Sequence, residues 1–153
     1  MHGSPRARFG ALASTIALAA VLMAARSSEL LAQTGFLVIV NHANPVTSLT
    51  ASELSRVFLH TQATWPSGAR AQPVDQGELS NVRRRFSDDV HRMDVPSVQE
   101  YWQEVVFSGR GAPPPQRASD DEVIAYVRTH PNAVGYVAVT AVTNDVKVVL
   151  LAR

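Results

Sequence analysis

An α/β fold in a single domain is what this sequence predicts, and three observations carry that expectation. Apolar runs rich in β-branched residues fall at Phe36–Val40, Asn132–Val139 and Val146–Leu151, each of a length that suits a buried strand. Between them, Thr50 with Glu53, Ser97 with Glu100 and Ser119 with Glu122 repeat the spacing of a capping box. In that motif a hydroxyl and a carboxylate satisfy each other's backbone N–H groups at a helix start. Once the N-terminal leader is set aside, about 120 residues remain, enough for one hydrophobic core. The order reads strand, helix, strand, three helices, strand, strand, with no internal repeat.

The leader is residues 1–32. Arg6 and Arg8 precede an uncharged, Ala- and Leu-rich run from Phe9 to Ala25 that Arg26 closes, the pattern of a secretory signal peptide. Cleavage after Ala32 fits best, because a strand begins almost at once. An uncleaved anchor is the other reading, since the run approaches the ~20 apolar residues of a membrane span. In both cases residues 33–153 form an exported domain, periplasmic or otherwise extracytoplasmic. Without Arg6, Arg8, Arg26 and Glu29 that domain holds 11 basic and 12 acidic residues, a formal charge of −1 against +1 for the whole chain. A nucleic-acid surface would need a strong basic excess, so no nucleic-acid partner is expected. The chain has no cysteine, which excludes a disulfide framework and thiol chemistry.

In chain order, Phe36–Val40 is followed by the polar loop Asn41-His-Ala-Asn-Pro45. Loops at strand ends are where open α/β sheets place ligands, which makes Asn41 and Asn44 either candidate donors or turn-formers ahead of Pro45. Leu49 and Leu54 flank the Thr50 cap as a hydrophobic staple, and Leu54, Val57 and Phe58 form the buried face of a helix expected to fail near Leu59. Trp65 reads as a lid on the core. Gln72–Val74 is extended, Gly77 marks a turn, and Ser80 is a candidate N-cap. Val82, Phe86, Val90 and Met93 then lie on one helical face. Arg83, Arg84 and Arg85 read either as anion-attracting charge or as a solvated face paired with Asp88 and Asp89. The next helix, capped by Ser97, turns Val98, Trp102, Val105 and Val106 inward. A loop of two glycines and three prolines from Phe107 to Pro115 breaks it. The last helix starts at Ser119, and Gly135 in the following strand marks a place where something packs close.

Several of these pieces together resemble a known family. They are a strand ending Val-Asn, Leu-Thr-x-x-Glu-Leu-x-x-Val-Phe-Leu, Trp-Pro-x-Gly, Pro-Val-Asp before a capped helix, Phe-Ser-Gly-Arg-Gly, and Asn-Ala-Val-Gly-Tyr-Val. The chain from Phe36 to Val139 is similar to the phosphate-type substrate-binding proteins of ABC transporters, and most to their short relatives. The resemblance implies a type 2 periplasmic-binding-protein-like fold, a small mixed sheet flanked by helices. It also implies phosphate or a similar oxyanion as ligand, and a membrane transporter or envelope protein as partner. In the family a Ser-Gly-Thr-like turn at a helix start holds phosphate, and Ser80 and Asn81 fall near it. Asp75 stands where the family has an arginine, and Gln76–Leu79 replaces the glycine-rich turn.

A helix start presents unpaired N–H groups and partial positive charge. The candidate ligand-binding residues are therefore Asn41, Ser80, Asn81 and Arg83. His42, His60, His91 and His130 have no metal-ligand spacing, and no nucleophile elbow occurs. Neither an enzyme, a metal nor a cofactor is expected. Two functions remain: an exported small substrate-binding protein that holds an oxyanion weakly, and an interaction or sensing module that keeps the fold without the ligand.

Overall fold

Strand β1 (Phe36–Val40) lies at the centre of the sheet because both of its faces are covered. A computed structural model describes residues 35–141 and 143–152; the leader read over residues 1–32 lies outside them. Side chains alternate across a strand. Val38 and Val40 accordingly enter one apolar cluster and Ile39 enters the other, and all three are buried. Burial on both faces is the reason the run carries no polar alternation.

The remaining strands are β2 (Ser48–Thr50), β3 (Gln72–Pro73), β4 (Asp75–Gln76), β5 (Gln116–Arg117), β6 (Ala133–Ala138) and β7 (Lys147–Ala152). Four of them join β1 in a mixed sheet in the order β2-β7-β1-β6-β3, and β4 and β5 make a separate parallel pair. Strand β1 runs antiparallel to both β6 and β7, whereas β2 is parallel to β7 and β3 to β6. This matches the mixed sheet expected.

Helix α1 (Ala51–Phe58) starts as the sequence indicates. The Thr50 hydroxyl accepts from the Glu53 N–H at 3.2 Å, and the Glu53 carboxylate accepts from the Thr50 N–H at 2.8 Å. The Thr50 N–H, and then the Thr50 hydroxyl, donate to the ionised carboxylate and hold the Glu53 carboxyl below its usual range. Leu54, Val57 and Phe58 pack on the sheet, each contributing about 1.5–3 kcal/mol through burial. Trp65 covers the edge of the same cluster, and its indole N–H donates to the Asn132 carbonyl at 3.0 Å.

Helix α2 (Asn81–Phe86) runs into a π-helical turn, Ser87–His91, that ends on a left-handed Arg92. Helix α3 (Val95–Phe107) begins earlier than its Ser97 signature suggests. Asp94 is the cap, its carboxylate accepting from the Ser97 N–H at 2.9 Å. Pro96 sits within the first turn, where its missing N–H costs nothing. Val98, Trp102 and Val105 of α3 pack against Leu59 and Met93. Val106, expected inside, is 50% exposed. Helix α4 (Asp120–Thr129) is capped by Ser119, but the Glu122 carboxylate turns back to the Ala118 N–H. Val123, Ile124 and Val127 cover the second sheet face, where Gly135 leaves room for them. A Cβ on Gly135 would stand 2.7 Å from Val123 Cγ1. Among the described residues no helix is long and apolar enough to cross a membrane.

Candidate ligand-binding site

The turn between β4 and α2 is held by a network that begins at Gln76. Its side-chain amide donates to Asp120 at 2.7 Å and to the Tyr136 carbonyl at 3.0 Å, while its carbonyl oxygen accepts from the Ser80 hydroxyl at 2.6 Å. The start of α2 is thereby tied to β6 and to the first turn of α4. Ser80 is the N-cap of α2, as expected, accepting from the Arg83 N–H at 3.2 Å. The N–H groups of Asn81 and Val82, one residue further out, have no intrahelical acceptor.

Arg83 is drawn inward. The face that α2 and the π-helical turn bury carries Arg83, Phe86, Ser87 and Val90, so the first of the three arginines falls on the inner side. Its guanidinium pairs with Asp75 at 3.2 Å and donates to the Gln76 carbonyl at 2.6 Å. Its Nε is buried with no partner among the described residues. Asp75 also accepts from the Tyr136 hydroxyl, and the Tyr136 ring stacks on Phe86 at 3.8 Å. Burial pushes the Asp75 carboxyl above its usual range, against the opposing pull of Arg83, Tyr136 and the Gln76 N–H. Burial, and then the Asp75 charge, raise the Tyr136 hydroxyl and keep it neutral. A buried pair of this kind repays its desolvation only where geometry and additional hydrogen bonds are good, and the Gln76 and Tyr136 contacts supply those bonds. Arg84 and Arg85 stay outside. Arg84 donates to Asn81 Oδ1, and Arg85 bridges Asp89 at 2.7 Å.

The four expected site residues do not meet. Ser80, Asn81 and Arg83 share the start of α2, whereas the Asn41 amide donates to the Val127 and Arg128 carbonyls at 2.9 and 2.8 Å. Asn41 therefore satisfies carbonyls at the C-terminal end of α4, and Gln76 holds Asp120 at the other end of that helix. Ten residues of helix separate the two ends, a length of ~15 Å at 1.5 Å per residue. These bonds give Asn41 a structural role, since the free carbonyls at a helix end need donors.

Beside Arg83 a groove of about 430 Å³ opens between α3 and the proline-rich loop. Trp102, Val106, Phe107 and Pro113 give it an apolar lining, and Glu78 lines it as well. The sequence signal for it was Gln99, Gln103 and Val106, spaced at four and three on α3, where polar and apolar positions share one outward face. Among the described residues no cluster of three or more carboxylates and imidazoles could hold a metal.

No protein-family model matches the chain, and no curated protein matches it. Solved structures do. An ABC-type phosphate transport receptor from Vibrio cholerae is similar at 22% identity and a TM-score of 0.60, over 75% of this chain and 45% of that one. A structure from Clostridium perfringens, solved with bound phosphate and described as a phosphate ABC transporter substrate-binding protein, is similar at 19% identity and a TM-score of 0.61, over 75% and 44%. The PstS protein of Borrelia burgdorferi is similar at 12% identity and a TM-score of 0.53, over 76% and 46%. This chain thus spans less than half the length of each of these structures. At these identities the likeness shows architecture: the chain has the periplasmic-binding-protein-like α/β fold of phosphate-type ABC-transporter substrate-binding proteins.

Proposed function

We propose that this chain is an extracytoplasmic receptor module of the phosphate type that holds a tetrahedral oxyanion weakly at the start of α2. The observation that carries the reading is a buried guanidinium, Arg83, that lines an open groove and belongs to the first turn of a helix capped by Ser80, in a fold shared with phosphate receptors. The Asn81 and Val82 N–H groups would donate to the anion, and the Arg83 guanidinium would supply the charge. The module would serve a membrane transporter or another envelope protein and would perform no chemistry itself. Asp75 already occupies the guanidinium, and Glu78 repels an anion from the same side, so the affinity is millimolar, about −4 kcal/mol.

Phosphate and sulfate titrations followed by amide NMR shifts test this. Asn81, Val82 and Arg83 amides move together on a saturating curve. Glu78→Gln, on an exposed side chain, tightens binding by removing repulsion, and Asp75→Asn does the same by freeing the guanidinium. Saturating phosphate that leaves these amides unmoved refutes the reading. A second reading, an interaction or sensing module without a small ligand, is favoured by one observation. The Ser80 hydroxyl and the Arg83 guanidinium both spend hydrogen bonds on Gln76 inside the protein.

A further inference from the structure

We propose that the groove between α3 and the proline-rich loop docks a peptide segment of a partner protein that carries a large apolar side chain followed by basic ones. The proposal does not depend on oxyanion binding.

The apolar end of the groove comes first. Phe107 is 90% exposed and Val106 50% exposed, and both line the groove together with Trp102 and Pro113. Single exposed apolar side chains are ordinary, but a group of them around one concavity marks an interaction site. An aromatic or leucine anchor filling such a pocket is the usual centre of a protein interface.

The charge of the groove selects the second feature. A neighbouring hollow shares Glu78 and Gln99 with the groove and adds Asp88, Asp94 and Arg84. Glu78, Asp88 and Asp94 have no ion-pair partner among the described residues. Within the groove itself Arg83 is neutralised by Asp75. Three carboxylates against one arginine leave this end negative, which complements lysine or arginine on a partner and disfavours an acidic segment.

The third feature is the amides. Gln99, Gln103 and Gln116 line the groove, and no side-chain hydrogen bond engages their amides among the described residues. A glutamine side chain offers both donors and an acceptor, matching the alternating N–H and C=O groups of a peptide backbone. A lipid chain or a simple amphiphile offers no such series.

The test uses the full chain and three labelled synthetic peptides. One has leucines followed by lysines, one has glutamates replacing the lysines, and one has serines replacing the leucines. Fluorescence anisotropy gives affinity, and Trp102 emission reports occupancy of the groove. The leucine–lysine peptide binds at least about tenfold more tightly than either control and weakens as salt rises. Phe107→Ser and Glu78→Gln/Asp88→Asn each reduce that binding several-fold. All three substitutions alter exposed side chains, so the fold is kept, and circular dichroism confirms that it is. Equal binding of all three peptides, or binding that survives both variants, overturns the proposal. Sedimentation showing that the groove residues instead mediate self-association, abolished by Phe107→Ser, overturns it in favour of a second copy of the chain. The two proposals fail separately. Glu78→Gln strengthens phosphate binding and weakens peptide binding, so a loss of one response leaves the other readable.

Discussion

Gly135→Ala is a one-methyl change whose cost follows from three distances. The new Cβ would lie 2.7 Å from Val123 Cγ1, 3.0 Å from Val74 Cγ1 and 3.3 Å from Val127 Cγ2. All three valines are fully buried, and β-branching leaves each with little χ1 freedom to turn away. The methyl must therefore push α4 off β6 or force a rotamer, an overpacking cost of about 1–3 kcal/mol. With three buried contacts and no flexible neighbour, the upper part of that range applies. Removing a glycine from the unfolded chain returns about 0.4–1 kcal/mol, which leaves a net loss of about 2 kcal/mol. For a domain of this size that lowers the melting temperature by roughly 8 °C. Urea denaturation with a linear extrapolation measures it directly. Val123→Ala in the same chain removes the nearest obstruction, so the double variant should be more stable than the sum of the singles by about 1 kcal/mol. A Gly135→Ala midpoint equal to the parent's, or strictly additive singles, would show that α4 and β6 are not in contact at this point.

Two further outcomes concern buried ionisable groups. His91 lies against Phe58 and Phe86, with its Nδ1 2.9 Å from the Ser55 hydroxyl. Burial, aided by Arg83, lowers its imidazole to about 4. The unfolded chain therefore binds the proton first. The stability this residue contributes is present above pH ~6.5 and is lost as the pH falls through about 4, a total of about 3 kcal/mol. His91→Gln should flatten that part of the stability–pH curve, and an unchanged slope between pH 6.5 and 4 would refute the burial argument. Arg83→Met leaves the Asp75 carboxylate buried without its cation, an expected loss of about 3–5 kcal/mol at neutral pH. Because burial raises the Asp75 carboxyl, the loss should shrink as acid protonates it, and adding Asp75→Asn should recover much of it at pH 7. Denaturation midpoints of the single and double variants at two pH values decide this.

The parts of the fold legible in the sequence were those that local chemistry determines. Thr50 and Glu53 are three residues apart and need nothing beyond themselves to start α1. Gly135 was legible as a close approach because it interrupts an apolar strand that otherwise carries a side chain at every position. Helix α3 was displaced because two cap signals compete. Asp94 with Pro96 in the first turn prevails over Ser97, whose own N–H is the group being capped. What could not be read was anything that depends on a partner distant in sequence. Arg83 looks like its neighbours Arg84 and Arg85 until Asp75 and Tyr136 are seen beneath it. Asn41 looks like a strand-end donor until the C-terminus of α4 arrives to use both of its N–H groups. The groove was missed for the same reason, since Glu78 and Phe107 stand on different elements and meet only through the packing of α3.

The position of β7 bears on the order in which the sheet can close. Strands β1 and β2, the first two in the chain, are not neighbours. Each pairs with β7, and Val40 faces Lys147 across a sequence separation of roughly a hundred residues, a long-range contact of the kind that slows folding. Until Lys147–Ala152 slides between them, β1 keeps one bare hydrogen-bonding edge and β2 has no sheet to join. Such edges invite pairing with other chains. The strand thus works as a latch, and a chain still being made or threaded has no shorter route to a finished sheet.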